Sequence, residues 1–505
     1  MVVQRDQTKR ERRRQRRALA RAKTKAKAQT LVRKITGATP YGYVEEHLTP
    51  FGGVLPLEKL FDALDVEAVF AEHFIAPART PELGHWRMVK GILALQFMGY
   101  YRLYNFHHFR DDAMLKGILQ VDKLPAVSTF WRCLNSYGIN QDRALLKINA
   151  VVRERAWRSL EYGPLYHHIH IDIDTTVKTV YGYKEGARKG HNRKHRGKKA
   201  LRPVLAFIAE TKEYFAGKLR TGKTISGEQI KNFIASLRPK LPSTVGKVTL
   251  RADSEFYCWQ AVETARAKGF DYIFAVKKRC PPFAENAWYS VDGNDTIQYN
   301  EALAKPTGWK TQCRFVAMRI RKDPKKPKNQ QGELLEDGNY TFRIFVTSRE
   351  GAPHKVIAEY DDRAGAEKLI AEAHAEGLSA VPSKSFERNR AFFQIAMFSY
   401  NLWRHLKAFA NEKDETTWSL NTNATSRMRL LLLAAKVNFH SDRTEIKYST
   451  YLLVKPTLDH LFQRLDHLRA HREIWQTPLA VTTKNSLRPR EQDRIVQKIL
   501  CTTDG

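Results

Sequence analysis

One short stretch, HIHIDIDT from His168 to Thr175, limits what this chain can fold into more than any other. Ile169, Ile171 and Ile173 alternate with His170, Asp172 and Asp174. This period of two, rich in β-branched residues, predicts a strand with one apolar face and one face carrying a histidine and two carboxylates. Carboxylates are seldom buried in a sheet unless they are paired or bound to metal. A cation therefore has to meet this face.

The text that follows is an alternating α/β pattern. LRPVLAFIAE and YFAGKLRTG read as a second and a third strand joined by a turn. SGEQIKNFIASLRPKL is an amphipathic helix opened by Ser226, and KVTLRADSEF is a fourth strand. YCWQAVETARAKG is a helix ending at Gly269, and DYIFAVKK is a fifth strand. Three strands, a helix, a strand, a helix and a strand is the order of a ribonuclease H-like α/β core. Residues 158–280 form its first part. From 281 to 351 the sequence changes to strands and polar turns around the basic loop RKDPKKPKNQQG, which reads as a β-rich insertion. Residues 352–410 complete the core, with FERNRAFFQIAMFSYNLWRHLKAFA as a buried helix.

Ahead of the core, residues 36–157 repeat apolar residues at intervals of three and four, which predicts an N-terminal helical domain, taken here as the DNA-binding domain. Its helix after Pro125 could read a DNA groove or simply be an ordinary packed helix. Residues 411–505 form a C-terminal region of short strands and a helix around TLDHLFQRLDHL. Residues 1–35 are a basic arm, disordered or ordered only on phosphates. Across 505 residues the net charge is +33. Such an excess favours a polyanion, nucleic acid above all, through counterion release. A membrane-surface protein is the competing class, but no long basic amphipathic helix with aromatic anchors is present. The apolar run Leu430–Ala435 is far too short to span a bilayer, and the charged start lacks the apolar segment of a signal peptide. Five scattered cysteines without a C-x-x-C pair argue against a disulfide framework or a cysteine zinc site and fit a reducing cytosol.

The acids come next. Asp253 closes the fourth strand after Val248 and Leu250, and strand ends are where an α/β sheet presents reactive groups. The first and fourth strands are neighbours in such a core, so Asp253 and Asp174 can approach each other. Two carboxylates forced together repel unless a proton or a divalent cation neutralises them. Hard oxygen ligands select magnesium or manganese. Asp253 alone could equally be the N-cap of the next helix. A third acid lies in EYDDRAGAEKLIAEAH, where Tyr360, Arg363, Glu367 and His374 stand at offsets 0, 3, 7 and 14. On an unbroken helix these fall within about 60° of one another. The stripe suits metal and phosphate, and a surface salt bridge between Arg363 and Glu367 is the plainer alternative.

DIDTT, LRADSEFY, DYIFAVKK and Tyr-x2-Arg-x3-Glu resemble the DDE transposases of bacterial insertion sequences, in the subgroup with a β-strand insertion between its second aspartate and its glutamate. YGYKEGARKGHN, FAGKLRTGK and NRAFFQIAMFSYNLWR resemble further blocks around that core, so the resemblance runs from about Leu55 to Leu468. It implies that Asp174, Asp253 and Glu367 bind two magnesium or manganese ions for in-line phosphoryl transfer. Cleavage at the terminal inverted repeats would come first. The freed 3′-hydroxyl would then attack target DNA, or the opposite strand to give a hairpin. Tyr360 and Arg363 would contact phosphates near the cut. The basic hairpin with Arg188, Lys189, Arg193 and Lys194, and the KDPKKPK loop, would track double-stranded DNA. A homodimer in the DNA complex, in the bacterial cytoplasm at the nucleoid, is also implied.

Asp174 is taken as the first acid because Thr175 and Thr176 follow it, as in the family. Asp172, on the same face, is the alternative ligand. The family signature has a lysine seven residues after the glutamate. This chain has His374 there, and the DNA contact carried over to it rests on an imidazole that is only partly charged near neutrality. Two other functions fit the residues: a domesticated, non-catalytic DNA-binding protein, and a metal-dependent nuclease without strand transfer.

Overall fold

The computed structural model describes the chain except residues 1–10, 23–34, 163–166, 191, 193–194, 243, 277–282, 292, 294, 323–334, 338, 413–416 and 477–505, and except the side chains of 335–337. Residues 1–46 form one unit, in which 11–22 are an exposed helix. Residues 47–505 form the other. Within it, helices α1 (Gly84–Phe97) and α2 (Ile139–Ser159) lead into the sheet.

HIHIDIDT is a central strand, β1 (His168–Thr175). β2 (Val204–Ile208) pairs antiparallel with it, and β3 (Tyr214–Lys218) pairs antiparallel with β2. On the other side β4 (Lys247–Ala252) and then β5 (Asp271–Ala275) run parallel to β1. Parallel neighbours need crossovers, and α3 (Gly227–Ala235) and α4 (Trp259–Ala267) supply them. The order is β3-β2-β1-β4-β5. The strands expected between 281 and 351 continue the same sheet. β6 (Ile297–Ala304), β7 (Cys313–Arg321) and β8 (Tyr340–Thr347) are antiparallel to one another, and β8 pairs with β5. They cover an edge that would otherwise leave unpaired backbone groups.

Ile169, Ile171 and Ile173 are fully buried against Ile230, Phe233 and Ile234 of α3 and Ala261, Val262 and Ala265 of α4. The opposite face is divided between two apolar clusters. On one side, Ile273 and Ala275 of β5 pack with Val356, Ile357 and Tyr360 of α5 (Pro353–Asp361). On the other, Leu205 and Phe207 of β2 pack with Leu369, Ile370 and Ala373 of α6 (Ala364–Ala373). α7 (Phe386–Ala410) adds Phe393, Met397 and Tyr400 to that second cluster. Between the clusters runs a polar seam. His168, His170, Asp172 and Asp174 come from β1, and Thr249 and Arg251 are their register neighbours on β4. The turn at Asp362–Arg363, which joins α5 to α6, crosses this seam.

α7 is buried along nearly its whole length. Its second side meets α1, α2 and α8 (Lys455–Ala470) in the largest apolar cluster. Trp403 stacks on Phe97 with ring centroids 3.9 Å apart, and its indole N–H donates to the Phe97 carbonyl at 3.0 Å. Such a ring pair adds roughly 0.5–1.5 kcal/mol beyond its burial. Helices from both ends of the sequence thus share one core behind the sheet. Among the described residues no helix is long and apolar enough to cross a membrane.

Candidate active site

The parallel register pairs Asp172 with Arg251 and Ile173 with Ala252, and its next step sets Asp174 beside Asp253. Both strands end there. Asp253 caps the short 3-10 turn Ser254–Phe256 by accepting from the Glu255 N–H at 3.1 Å. The N-cap reading of Asp253 holds: one oxygen caps the turn, and the carboxylate interacts with Asp174. Burial pushes the Asp253 carboxyl up to about 7, with the charge of Asp174 adding to the effect. Burial also raises Asp174, against the pull of Arg363.

Arg363 is the cation that meets this end of the face. One guanidinium nitrogen donates to Asp174 Oδ2 at 3.0 Å and to the Ile173 carbonyl at 3.1 Å. The side chain is buried, and Asp174, Asp253 and Asp172 all favour its charged form. Tyr360 lies beneath it. The phenol O–H donates to the Ala252 carbonyl at 3.4 Å, and the ring packs on Phe345 at 4.4 Å. A phosphate contact was expected of Tyr360, but the phenol is buried and supports Arg363 from behind.

Asp172 has a different partner. Arg251 donates to it through two nitrogens, at 2.7 and 3.0 Å, with both side chains almost fully buried. A second arm of Arg251 donates to the Glu359 carbonyl of α5 at 2.5 Å. Both oxygens of Asp172 are thus engaged by a guanidinium, and the residue ties sheet to helix. Asp174 and Asp253 are the pair left at the open strand ends.

The expected stripe on a continuous helix is not what forms. α5 ends at Asp361 and α6 starts at Ala364, so Tyr360 and Arg363 turn into the seam while Glu367 stands exposed on the first turn of α6. Among the described residues no hydrogen bond or ion pair engages the Glu367 side chain. Asp174, Asp253 and Glu367 are not drawn into one tight cluster. Among the described residues, the grouping whose donor atoms all lie within 4.8 Å of one another is His168, His170 and Glu359, at the other end of β1. His374 bonds Thr176 Oγ1 at 2.8 Å through Nε2 and Ser379 Oγ at 3.0 Å through Nδ1. It thus holds the segment just after Asp174. Arg188 and Lys189 are exposed on the edge of a small three-stranded sheet, while Arg193 and Lys194 lie outside the described residues, as does most of the KDPKKPK loop.

A further acid escaped the sequence reading. Glu255 accepts from the Thr175 hydroxyl, pairs with Arg202 at 3.3 Å, and raises both Asp174 and Asp253 by its charge. Its only sequence signal was position, two residues after Asp253. The all-oxygen donors at the strand ends suit a hard cation such as magnesium or manganese, which would offset both the burial and the Asp174 charge that hold Asp253 above the usual carboxylate range.

The family model for the transposase DDE domain, group 1, matches residues 45–470. No curated protein matches the chain. Among solved structures, it is similar at 10% identity and a TM-score of 0.38 to a piggyBac transposase synaptic complex with hairpin DNA, covering 89% of this chain and 92% of that one. It is also similar at 10% identity and a TM-score of 0.16 to a Mos1 transposase paired-end complex with the left transposon end, covering 34% of this chain and 58% of that one.

Two consequences are measurable on the isolated protein. Asp172→Asn leaves Arg251 buried without its charge partner and should cost about 3–5 kcal/mol in urea denaturation. Asp174→Asn, which also removes a repulsion, should cost clearly less, and equal losses would contradict the division of roles. The second concerns pH. Asp253 holds its proton more tightly folded than unfolded, so its contribution to stability is lost as pH rises from about 4 to about 7. Without divalent cations, the wild type should lose more stability across that interval than Asp253→Asn, and parallel curves would refute it.

Proposed function

The chain belongs to the family of group 1 transposase DDE domains, and from that premise we propose how its residues serve DNA transposition. It is a DNA transposase, and its activity is phosphoryl transfer on DNA, chemistry for which the family uses divalent metal ions. The observation that carries the residue assignment is the acid pair: Asp174 and Asp253, register neighbours at two strand ends, both raised by burial, with Arg363 as their cation. The order β3-β2-β1-β4-β5 with β2 reversed supports a ribonuclease H-like core. β6 to β8 are then an insertion that extends its sheet.

Asp174, Asp253 and Glu367 are the residues that would hold magnesium or manganese, which when bound activates the attacking oxygen and neutralises charge on the phosphate and leaving group. Glu367 fits because its carboxylate is exposed one turn beyond Arg363. Arg363 presents a planar fork of N–H donors at the acid pair, within reach of a phosphate that enters there. Asp172 and Arg251 hold the strand and α5 rigid below, so the reacting groups are positioned before DNA binds. The net charge of +33 supplies the non-specific affinity for double-stranded DNA, and Arg188 and Lys189 lie on an exposed basic hairpin that tracks its backbone. Terminal inverted repeats are the substrate for cutting, and target DNA is the acceptor. The protein acts as a homodimer on paired ends.

A gel assay tests this. It uses an end-labelled duplex of the inverted repeat that flanks the gene, a target plasmid and magnesium. Cutting followed by joining is the expected result, and Asp174→Ala, Asp253→Ala and Glu367→Ala should each abolish cutting while binding stays within about twofold, because binding rests on the basic surface. Cutting without joining would mean a nuclease, and binding alone a non-catalytic protein. Full activity in Asp174→Ala with loss in Asp172→Ala would overturn the choice of first acid.

A further inference from the structure

The end of β1 away from the acid pair holds an arrangement that this mechanism does not use directly. His170 Nδ1 meets Glu210 Oε1 at 2.7 Å, and its backbone N–H donates to the same carboxylate at 3.0 Å. Its Nε2 meets Glu359 Oε1 at 3.0 Å. Glu210 sits in the turn after β2, and Glu359 in the last turn of α5. One ring therefore joins three elements across the seam. Apolar side chains are confined to the clusters on either side, so directional bonds decide where α5 rests on β1 and β4. Glu359 is gripped from below as well, since its carbonyl accepts from Arg251. Tyr360 is the next residue, and Arg363 stands four residues on, about 6 Å along the chain at helical rise.

We propose that His170 is a positioning residue of the active site: by bridging Glu210 and Glu359 it sets the last turn of α5, and with it the point at which Arg363 meets Asp174. This rests on the assignment of Asp174 and Arg363 made above. The bridge is strongest with the ring doubly protonated, when both nitrogens donate to carboxylates. Burial pushes the imidazole down, but the hydrogen bonds to Glu210 and Glu359 outweigh it and bring the group to about 9. The facing groups are His168 and Asp172 on β1, Glu210 after β2, Thr249 and Arg251 on β4, Arg349 after β8, and Glu359 on α5. His168 bonds Thr249 at 2.8 Å, and Arg349 pairs with Glu359 at 3.0 Å and with Asp271 at 3.4 Å. A group with a raised value stabilises fully below its unfolded value near 6.5 and loses that contribution as pH rises through about 9. Positioning by the bridge therefore weakens on the alkaline side.

The test is single-turnover cleavage of the terminal-repeat duplex with magnesium, from pH 6 to 10, for the wild type, His170→Ala, His170→Gln and Glu359→Gln. Misplacement of a reacting group by about 1 Å can cost 100-fold. His170→Ala should lower the rate at saturating DNA by about 10–100-fold with the DNA KM unchanged, and the alkaline decline of the wild type near pH 9 should disappear in both His170 variants. Glu359→Gln should show the same rate loss, which covers the case in which His170→Ala fails to fold. An inactive wild type would refute the functional assignment. An active wild type with His170→Gln identical to it at every pH would refute the positioning role alone. So would stoichiometric zinc in the purified protein that leaves with the His170→Ala change, because the ring would then be a metal ligand beside His168 and Glu359.

Discussion

Two arginines make the acidic face of β1 possible. Arg251 closes on Asp172 with a bidentate pair deep in the sheet, and Arg363 reaches Asp174 from the turn between α5 and α6. An unpaired carboxylate would be costly at Asp172, which is almost fully buried, and less so at the partly exposed Asp174. The two pairs differ in what they leave over. Arg251 satisfies Asp172 completely and spends its remaining arm on the backbone of α5. Arg363 offers one arm to Asp174 and the Ile173 carbonyl, and burial holds Asp253 beside it well above the usual carboxylate range. The seam is thus settled at its centre and unsettled at its end.

That contrast positions the site. The apolar clusters on either side of the seam hold α5 over β5 and α6 over β2. The chain breaks between them at Asp362–Arg363 and places a guanidinium there. His374 then secures the segment after Asp174 through Thr176, and Glu255 does the same through Thr175. Asp174 and Asp253 sit at strand ends whose backbone is fixed by the sheet, which leaves their charge to be balanced. On the assignment proposed above, a divalent cation would do that better than one guanidinium, and a phosphodiester would bring the anion for Arg363 to meet.

Much of this was legible in the sequence. The alternation in HIHIDIDT fixes the two faces of β1, and its demand for a cation is answered by Arg251. That answer was itself written in KVTLRAD, where Thr249, Arg251 and Asp253 alternate with apolar residues as a polar match to β1. The succession of strands and helices from β1 to β5 follows from periodicity alone. What periodicity could not show was the difference between the two acids: Asp172 and Asp174 share a face, and the register gives Asp172 a buried partner in Arg251. The arithmetic that aligned Tyr360, Arg363, Glu367 and His374 assumed an unbroken helix, and tertiary packing overrode it. The shared helical core was also hidden, because Phe97 and Trp403 meet across 306 residues with no local signal of it. Glu255 read as an ordinary turn residue.

The central claim is that Asp174, Asp253 and Glu367 form the cation site of this enzyme while Asp172 remains a structural partner of Arg251. Anomalous diffraction from crystals of the protein bound to a terminal-repeat duplex and soaked in manganese tests it most directly. The account predicts anomalous peaks ligated by Asp174 and Asp253, with Glu367 joining them, and an intact Asp172–Arg251 pair. Manganese bound instead by Asp172, or held only among His168, His170 and Glu359, would contradict it.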